Sequence, residues 1–562
     1  MGDGVIIDYL SGSHPDSIEA DLCIIGAGAA GIAIARTFIG TPVSVCMIES
    51  GGLSGEQRNQ QLYEGSSVGS TPFDPGTSRM RVFGGSCNLW GGGCIPLSRQ
   101  DLSEREWVPH SGWPLSYGEL KPYYTRARSF CQIDSHDFDD GSFLTPLSRP
   151  PLAFDDGTLV NQIFARSPIL FGEAYRPELE RADNIKVLLH TNLLELEASP
   201  GGSYVREAHI ASLDGHRGTV RARHYVLACG GIENARLLLL SDSSVPQGLG
   251  NEHDLVGRFF MDHPSGKLGT VHTDEPHRLT RPYDRELGKG PRPTFPEIGL
   301  AHEAQKTHKL LNGRVHPFAV EGPIPNGIRA LRDLRAALRP SVQDEGSLLE
   351  ARLCAAMKNG STRLDGVTAA PVESLGTLVL RLGLGAGDIA KAFLHKLTDK
   401  PTVGASHVDL IGYFEQAPNP DSRITLGHEL DALGQRKVCV DWRLTPLDLR
   451  TYRTAAALFG SELAQACGGR FEPEPWVTED TPPLMRGTAH HIGTTRMSDD
   501  PRSGVVDRHC RVHGIDNLHI AGSSVFPTGG WAFPTFTIVA LSLRLAEHLR
   551  GALMSAVSTG IL

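Results

Sequence analysis

The sequence predicts a discontinuous α/β domain of the Rossmann type, joined to an α+β domain with an antiparallel sheet. Two observations carry this reading. Residues 20–50 run strand, GxGxxG turn, helix, strand, acid, the order of a dinucleotide-binding unit. From about residue 266 the chain turns to short strand-like runs, and after about 485 it returns to segments rich in Gly, His and Pro. The 20–50 unit, a glycine cluster at 84–93 and the segments after 485 build one site only if the first domain is discontinuous.

The first strand is the apolar run 20–25, and Gly26, Gly28 and Gly31 follow at once, with Ala29 and Ala30 between the last two. The first glycine allows a tight turn, the second lets a pyrophosphate approach the backbone, and the third lets helix and strand pack closely. Ile32, Ala33, Ile34, Ala35 and Phe38 continue at helical spacing. The start of that helix offers free N–H groups and partial positive charge to phosphates. Residues 42–48 form a second strand that ends at Glu49, placed to accept hydrogen bonds from a ribose. An acid there, without a neighbouring Arg, argues against a 2′-phosphate. The motif does not choose between NAD and FAD, although its place near the start of so long a chain leans toward FAD.

A chain of 562 residues exceeds one ordinary core, so two or more domains are expected. Its 40% hydrophobic and 21% charged residues describe a soluble globular protein, and 63 glycines suit tight turns and close backbone–ligand contacts. A net charge of −10 disfavours nucleic acid and anionic membrane as partners. Residues 1–20 show neither a basic nor an apolar export signal, and no run of apolar residues is long enough for a membrane span, so a cytoplasmic location is expected. The ten cysteines are scattered with no CxxC pair, which reads as reduced thiols and no metal site.

Along the chain, residues 51–80 read as a polar loop, followed by a glycine cluster that includes Gly84 and Gly85. Ser116 and Glu119 form a capping box before a helix. Residues 135–160 read as a surface excursion, 185–196 and 220–228 as strands, and 232–240 as a helix. Segments 268–273, 310–321, 408–416, 423–426 and 437–444 read as strands of the antiparallel sheet. Within them lies a helical insertion, 325–400, whose basic amphipathic piece 328–338 reads as a lid or surface helix ahead of a membrane or partner contact. The last helix starts near Pro534, which suits a first helical turn, and runs to about residue 549. The expected organisation is 15–134 and 185–265 for the two first parts of the nucleotide-binding domain, with 135–184 an excursion between them. Residues 266–480 then form the substrate domain, and 481–562 the C-terminal part of the nucleotide-binding domain.

Taken together, Gly26 to Glu49, Gly84-Gly85-Ser86 with Trp90, Ala228 to Ile232, Val256-Gly257-Arg258 with His263-Pro264, Glu415 to Leu426 and His490 to Leu541 span nearly the whole chain. In this order they resemble the glucose–methanol–choline family of FAD-dependent alcohol oxidoreductases, most of all its bacterial branch acting on sugars, polyols and glycosides. The resemblance implies an FAD-binding Rossmann-type domain and a substrate domain whose antiparallel sheet covers the flavin. It implies transfer of hydride from a carbinol carbon to flavin N5 while a base takes the hydroxyl proton. The family's base stands three residues before the Gly of a Gly-Thr pair, which is His490 here; an imidazole of ordinary pKa, ~6.5, is neutral and available at neutral pH. His491 beside it shares the work or packs. FAD contacts are implied at Gly26, Gly28, Ala29, Ala30, Gly31 and Glu49 and at Gly84, Gly85, Asn88 and Trp90. Further contacts are implied at Leu193, Gly230, Gly522, Ser523, Pro534 and Thr535, where the start of the last helix can face an anionic flavin.

Two positions depart from the family pattern. Where the family places Asn or His before the Pro of the last helix, this chain has Phe533, so His491, Thr535 or a water completes the pair, or His490 works alone. Where members with covalent FAD carry a His, this chain has Leu89, so a dissociable, non-covalent FAD is expected. Gln416, at a strand end, either faces a sugar or is a plain polar residue, and Trp90 and Trp531 either stack on a pyranose ring or pack in the core. The expected function is oxidation of a primary or secondary alcohol on a sugar, glycoside or polyol, with the electron acceptor left open. A redox-neutral lyase and a non-catalytic flavin-binding partner protein are the alternatives.

Overall fold

The computed structural model describes residues 6–10, 15–69, 73–133, 138, 151–154, 157–283, 294–337, 349, 353–354, 375–397 and 403–558. The strand Ser17–Ile25 ends in four buried residues, Leu22 to Ile25, and lies between Val45–Ile48 and Arg217–Leu227, both parallel to it. A strand covered on both faces reads as a continuous apolar run, as this one does. It belongs to an eight-stranded sheet that starts with Ile6–Asp8 and Ile185–Leu189 and ends with the antiparallel strands Val205–Ala211 and Asn192–Ala198. Leu518–Ile520 joins it in parallel beside Tyr225–Leu227. The C-terminal helix Pro534–Ser558 packs on Ala29–Thr37 and on Tyr117–Phe130, so the two ends of the chain share one layer.

A second sheet has seven antiparallel strands, in the order Arg470–Pro473, Ser265–His272, Ala405–Phe414, Gly313–Glu321, Thr294–Leu300, Leu159–Arg166 and Gly93–Cys94. Ala405–Phe414 alternates buried and half-buried residues, the pattern of a strand with one face on a core. That core joins Leu268, Ile298, Val315, Leu410 and Phe414 to Tyr452, Phe459 and Leu463 of the helix Pro446–Ala466.

Several sequence expectations are corrected. The expected single strand 185–196 breaks at His190, whose φ of 53° ends the first strand while its ring bridges Asp8 and Glu56. The strands Arg423–Leu430 and Arg436–Trp442 do not join the seven-stranded sheet; they form a three-stranded one with Gly65–Gly69, from the stretch read as loop. Gly and Ser carry no strand signal. They are needed here because a Cβ at Gly65 or Gly69 would meet the carbonyl oxygen of Val438 or Trp442 at 2.4 or 2.1 Å. The excursion 135–184 contains a strand of the large antiparallel sheet, Leu159–Arg166, and a helix, Phe171–Glu180, packed on Ala29–Thr37; most of 134–150 lies outside the described residues. The last helix continues to Ser558, and the insertion shows helices Asn326–Ala337, Leu375–Leu384 and Ala386–Leu397, with Leu338 outside the described residues. Among the described residues no helix is long and apolar enough to cross a membrane.

Candidate active site

A cavity of about 480 Å³ runs between the parallel sheet and the antiparallel one. Its first stretch is built from glycines. Gly26 has φ +104°, and a Cβ there would stand 2.7 Å from the carbonyl oxygen of Ala228. Gly28 precedes the helix Ala29–Thr37 without a side-chain cap, so the first N–H groups of that helix stay available at the cavity wall. Gly85, with φ +60°, lies against Gly28, where a Cβ would approach the Gly28 Cα to 3.1 Å. Gly31 does not line the cavity; its missing Cβ leaves room for the carbonyl oxygen of Gly26. Gly84 and Asn88 also stand behind the wall: Gly84 N–H donates to Ala27 at 2.9 Å and the Asn88 amide to the Phe83 carbonyl at 3.1 Å.

Ala29, Ala30, Glu49, Trp90, Leu193, Gly230, Gly522, Ser523, Pro534 and Thr535 all line the cavity. Glu49 is buried and accepts from the backbone N–H groups of Ala27 and Gly51, each at 2.9 Å, while burial pushes its carboxyl up. Each of its oxygens keeps a further lone pair for a hydroxyl. Sequence reasoning missed two wall residues, Arg79 and Arg81. Both are buried, both lie over the Tyr63 ring, and both pair with Glu233 at 3.0 Å. Three guanidinium groups around Glu233 hold its carboxyl down near 2 against the opposing effect of burial. Arg79 Nη2 and Arg81 Nε are buried donors without a hydrogen-bond partner among the described residues. Their only sequence signal was two Arg, two apart, just ahead of the paired glycines. Bare helix-start N–H groups, side-chain-free glycines, a carboxylate and two buried guanidinium groups that each keep one unpartnered donor together fit an FAD, with its pyrophosphate and ribose.

The far stretch of the cavity is lined by Thr488, Ala489, His490, Phe164, Phe295 and Phe533. Ala489 has φ +61°, an uncommon conformation for a residue with a Cβ. Asp262 holds the turn in place: its carboxylate accepts from the N–H groups of His263, Thr488, Ala489 and His490 at 2.6, 3.2, 3.2 and 2.9 Å. Burial nonetheless pushes that carboxyl up to about 6. His490 Nδ1 lies 2.9 Å from His263 Nδ1 and 3.1 Å from Thr488 Oγ1. Burial first, then His263 and the Arg314 guanidinium, hold the His490 imidazole well below its ordinary value, so it is neutral. His491 turns the other way, stacked on Phe73 at 5.7 Å and against Phe260 at 5.8 Å, its pKa brought down to about 3 by burial.

Phe533 stands edge-on to Phe164 at 5.2 Å, and Phe164 stacks on Phe295 at 5.3 Å, which makes an apolar wall opposite His490. Two expected substrate contacts are not on the cavity wall. The Gln416 amide accepts from Asp262 N–H at 3.0 Å and from the Trp442 indole at 2.8 Å, and so supports the Asp262 turn. Trp531 is buried and lines a neighbouring cavity with Asp101 and Tyr117. Trp90 is on the wall, with its indole donating to Ile169 at 3.3 Å.

Residues 418–542, which include His490, Phe533 and Thr535, match the family model of the GMC oxidoreductases. That stretch carries the C-terminal domain of the family. The chain is similar over nearly its whole length to the 6‴-hydroxyparomomycin C oxidase of Streptomyces lividus, with 26% identity over 96% of this chain and 95% of that one. It is 24% identical to the paromamine 6′-oxidase of Streptomyces fradiae, over 95% of this chain and 92% of that one. The structure of a formate oxidase shares its fold, with a TM-score of 0.55 at 16% identity over 96% of this chain and 99% of that chain. The domain match and these relatives support an FAD-dependent enzyme that oxidises alcohols.

Proposed function

We propose that the whole chain is a GMC oxidoreductase that oxidises a primary or secondary alcohol carbon of a sugar, glycoside or polyol, with His490 as the base for the hydroxyl proton. The observation that carries the reading is the neutral His490 imidazole on the cavity wall, its Nδ1 already engaged and its backbone fixed by Asp262. When bound, FAD supplies the hydride acceptor. The residues supply the rest. Gly26, Gly28 and the start of helix Ala29–Thr37 receive the pyrophosphate, Glu49 the ribose, and Arg79 and Arg81 add positive charge to that stretch. The start of helix Pro534–Ser558 presents partial positive charge at the other stretch, where it favours an anion. His490 accepts the hydroxyl proton, an assistance typically worth 10²–10⁴-fold.

Phe533 offers no hydrogen bond, so the aromatic wall it forms with Phe164 and Phe295 excludes water and bounds the substrate by shape. The two Streptomyces relatives are named as oxidases of paromamine and 6‴-hydroxyparomomycin C, which supports a glycoside as substrate. FAD is dissociable in this reading: Leu89 is apolar, and burial pushes the nearby Cys87 thiol up to about 12, keeping it uncharged and a poor nucleophile. The test is anaerobic mixing of the FAD-loaded enzyme with a panel of sugars, glycosides and polyols. Bleaching of the flavin band by a member of the panel supports the proposal. Turnover without bleaching indicates a redox-neutral lyase, and no response across the panel removes the substrate class.

A further inference from the structure

We propose that His263 is the positioning residue that keeps His490 in the tautomer a base requires, with the proton on Nδ1 and the lone pair on Nε2. The proposal rests on the reading of His490 as the base. Two imidazole Nδ1 atoms 2.9 Å apart share one hydrogen, so one ring donates and the other accepts. Which ring donates follows from Thr488, bonded to the same His490 nitrogen. The opposite edge of His263 leaves either choice open, since its buried Nε2 has no hydrogen-bond partner among the described residues. A neutral imidazole has one N–H, and His263 is buried and neutral, its pKa lowered to about 3 mainly by burial. With His490 donating from Nδ1, His263 accepts at its own Nδ1 and carries its hydrogen on Nε2.

The geometry of Thr488 makes the choice. Its hydroxyl has its own acceptors in Asp262 Oδ1 at 3.3 Å and the His263 carbonyl at 3.1 Å, which leaves its oxygen free to accept from His490 Nδ1 at 3.1 Å. Both neighbours of His490 Nδ1 therefore take its hydrogen, and Nε2 is left bare. The charged and titratable groups around the pair are Asp262 on the turn before it, Arg314 on the strand Gly313–Glu321, and His491 behind. Among these, His263 alone is bonded to the His490 ring, and its edge-on packing at 5.0 Å also fixes the plane of that ring. Phe533 contributes no hydrogen bond to a substrate hydroxyl. The direction of the His490 lone pair then decides whether the proton can leave.

The test compares His263→Leu, His263→Asn and His263→Asp with the parent and with His490→Ala, all as FAD-loaded enzyme reduced anaerobically by the best substrate of the panel. Loss of the acceptor in H263L is expected to slow the limiting rate of flavin reduction by about 10²-fold with little change in substrate Kd, since a wrong tautomer removes the base but not the pocket. H263N, whose amide oxygen can accept the same hydrogen, is expected to recover most of that loss. H263D adds a negative charge beside the His490 ring and is expected to move the acid limb of the rate profile toward neutral pH. Ring ¹⁵N shifts of His490 in histidine-labelled protein, assigned against H490A, report the tautomer without turnover: a protonated Nδ1 and bare Nε2 are expected. An H263L rate equal to the parent beside a slow H490A overturns the role of His263 alone, as does an H263D profile that does not move or a His490 protonated on Nε2. A rate unchanged in H490A overturns the underlying reading of the base.

Discussion

Arg105 and Glu415 form a two-fold ion pair at 2.8 and 2.6 Å, with side chains 2% and 0% exposed, and replacing Arg105 by Met is expected to be among the most damaging single changes in the chain. Two charge-assisted hydrogen bonds disappear, each worth about 1.5–3 kcal/mol. Two carboxylates, Glu415 and the buried Asp101, are left without their counter-ion. Breaking a buried pair from one side costs about 3–5 kcal/mol, and the second stranded carboxylate places R105M at about 4 kcal/mol or more. That is a quarter or more of a typical stability of about 5–15 kcal/mol. The damage reaches the site because the Asp101 carbonyl accepts from Thr528 at 2.8 Å and the Asp101 side chain holds Asn312 at 2.8 Å, just ahead of the segment that ends at Phe533. Urea unfolding followed by flavin and tryptophan fluorescence measures it. Adding Glu415→Leu to R105M is expected to return about half of the loss, the remainder being the Asn312 N–H that Glu415 also serves at 2.9 Å. An R105M midpoint within about 1 kcal/mol of the parent, or a double variant weaker than the single, would refute the reasoning.

His490→Ala is expected to retain FAD and to reduce it at least about 10²-fold more slowly, measured by anaerobic stopped flow. Acid precipitation of the loaded protein is expected to release yellow FAD to the supernatant; a yellow pellet contradicts the reading of Leu89. Replacing Gly85 by Val is expected to abolish FAD uptake, because a side chain at that left-handed position meets the Gly28 Cα; binding is checked by recovery of quenched flavin fluorescence. Stability is expected to fall as pH drops from 7 to 6. Folded His263, His491 and His519 titrate near 3 and His490 well below its ordinary value, whereas the unfolded chain takes up those protons near 6.5. Below about 6 the slope eases, because Asp262 and Asp448 take up protons near 6 in the folded state and at lower pH in the unfolded one. A urea midpoint that holds level or rises on acidification from pH 7 to 6 would contradict this.

The sequence by itself determined the parts whose physics is local. A glycine that takes φ +104°, as Gly26 does, lies against a carbonyl, as Gly31 does, or leaves its Cβ position open, as Gly28 does, stands out in the chain, and these three suggested the nucleotide site. Continuous apolar runs marked strands covered on both faces, and Ser116 with Glu119 marked a helix start that forms the expected reciprocal cap. His490 was found through a motif. Tertiary structure decided what depends on partners far along the chain. Arg79 and Arg81 are wall residues because Glu233, some 150 positions on, draws them into the interior. Gln416 serves Asp262 because the strand end beside it stops there, and His263 meets His490 across 227 positions. No spacing rule encodes such meetings, since burial, charge and hydrogen-bond geometry become defined only once the two sheets have closed on each other.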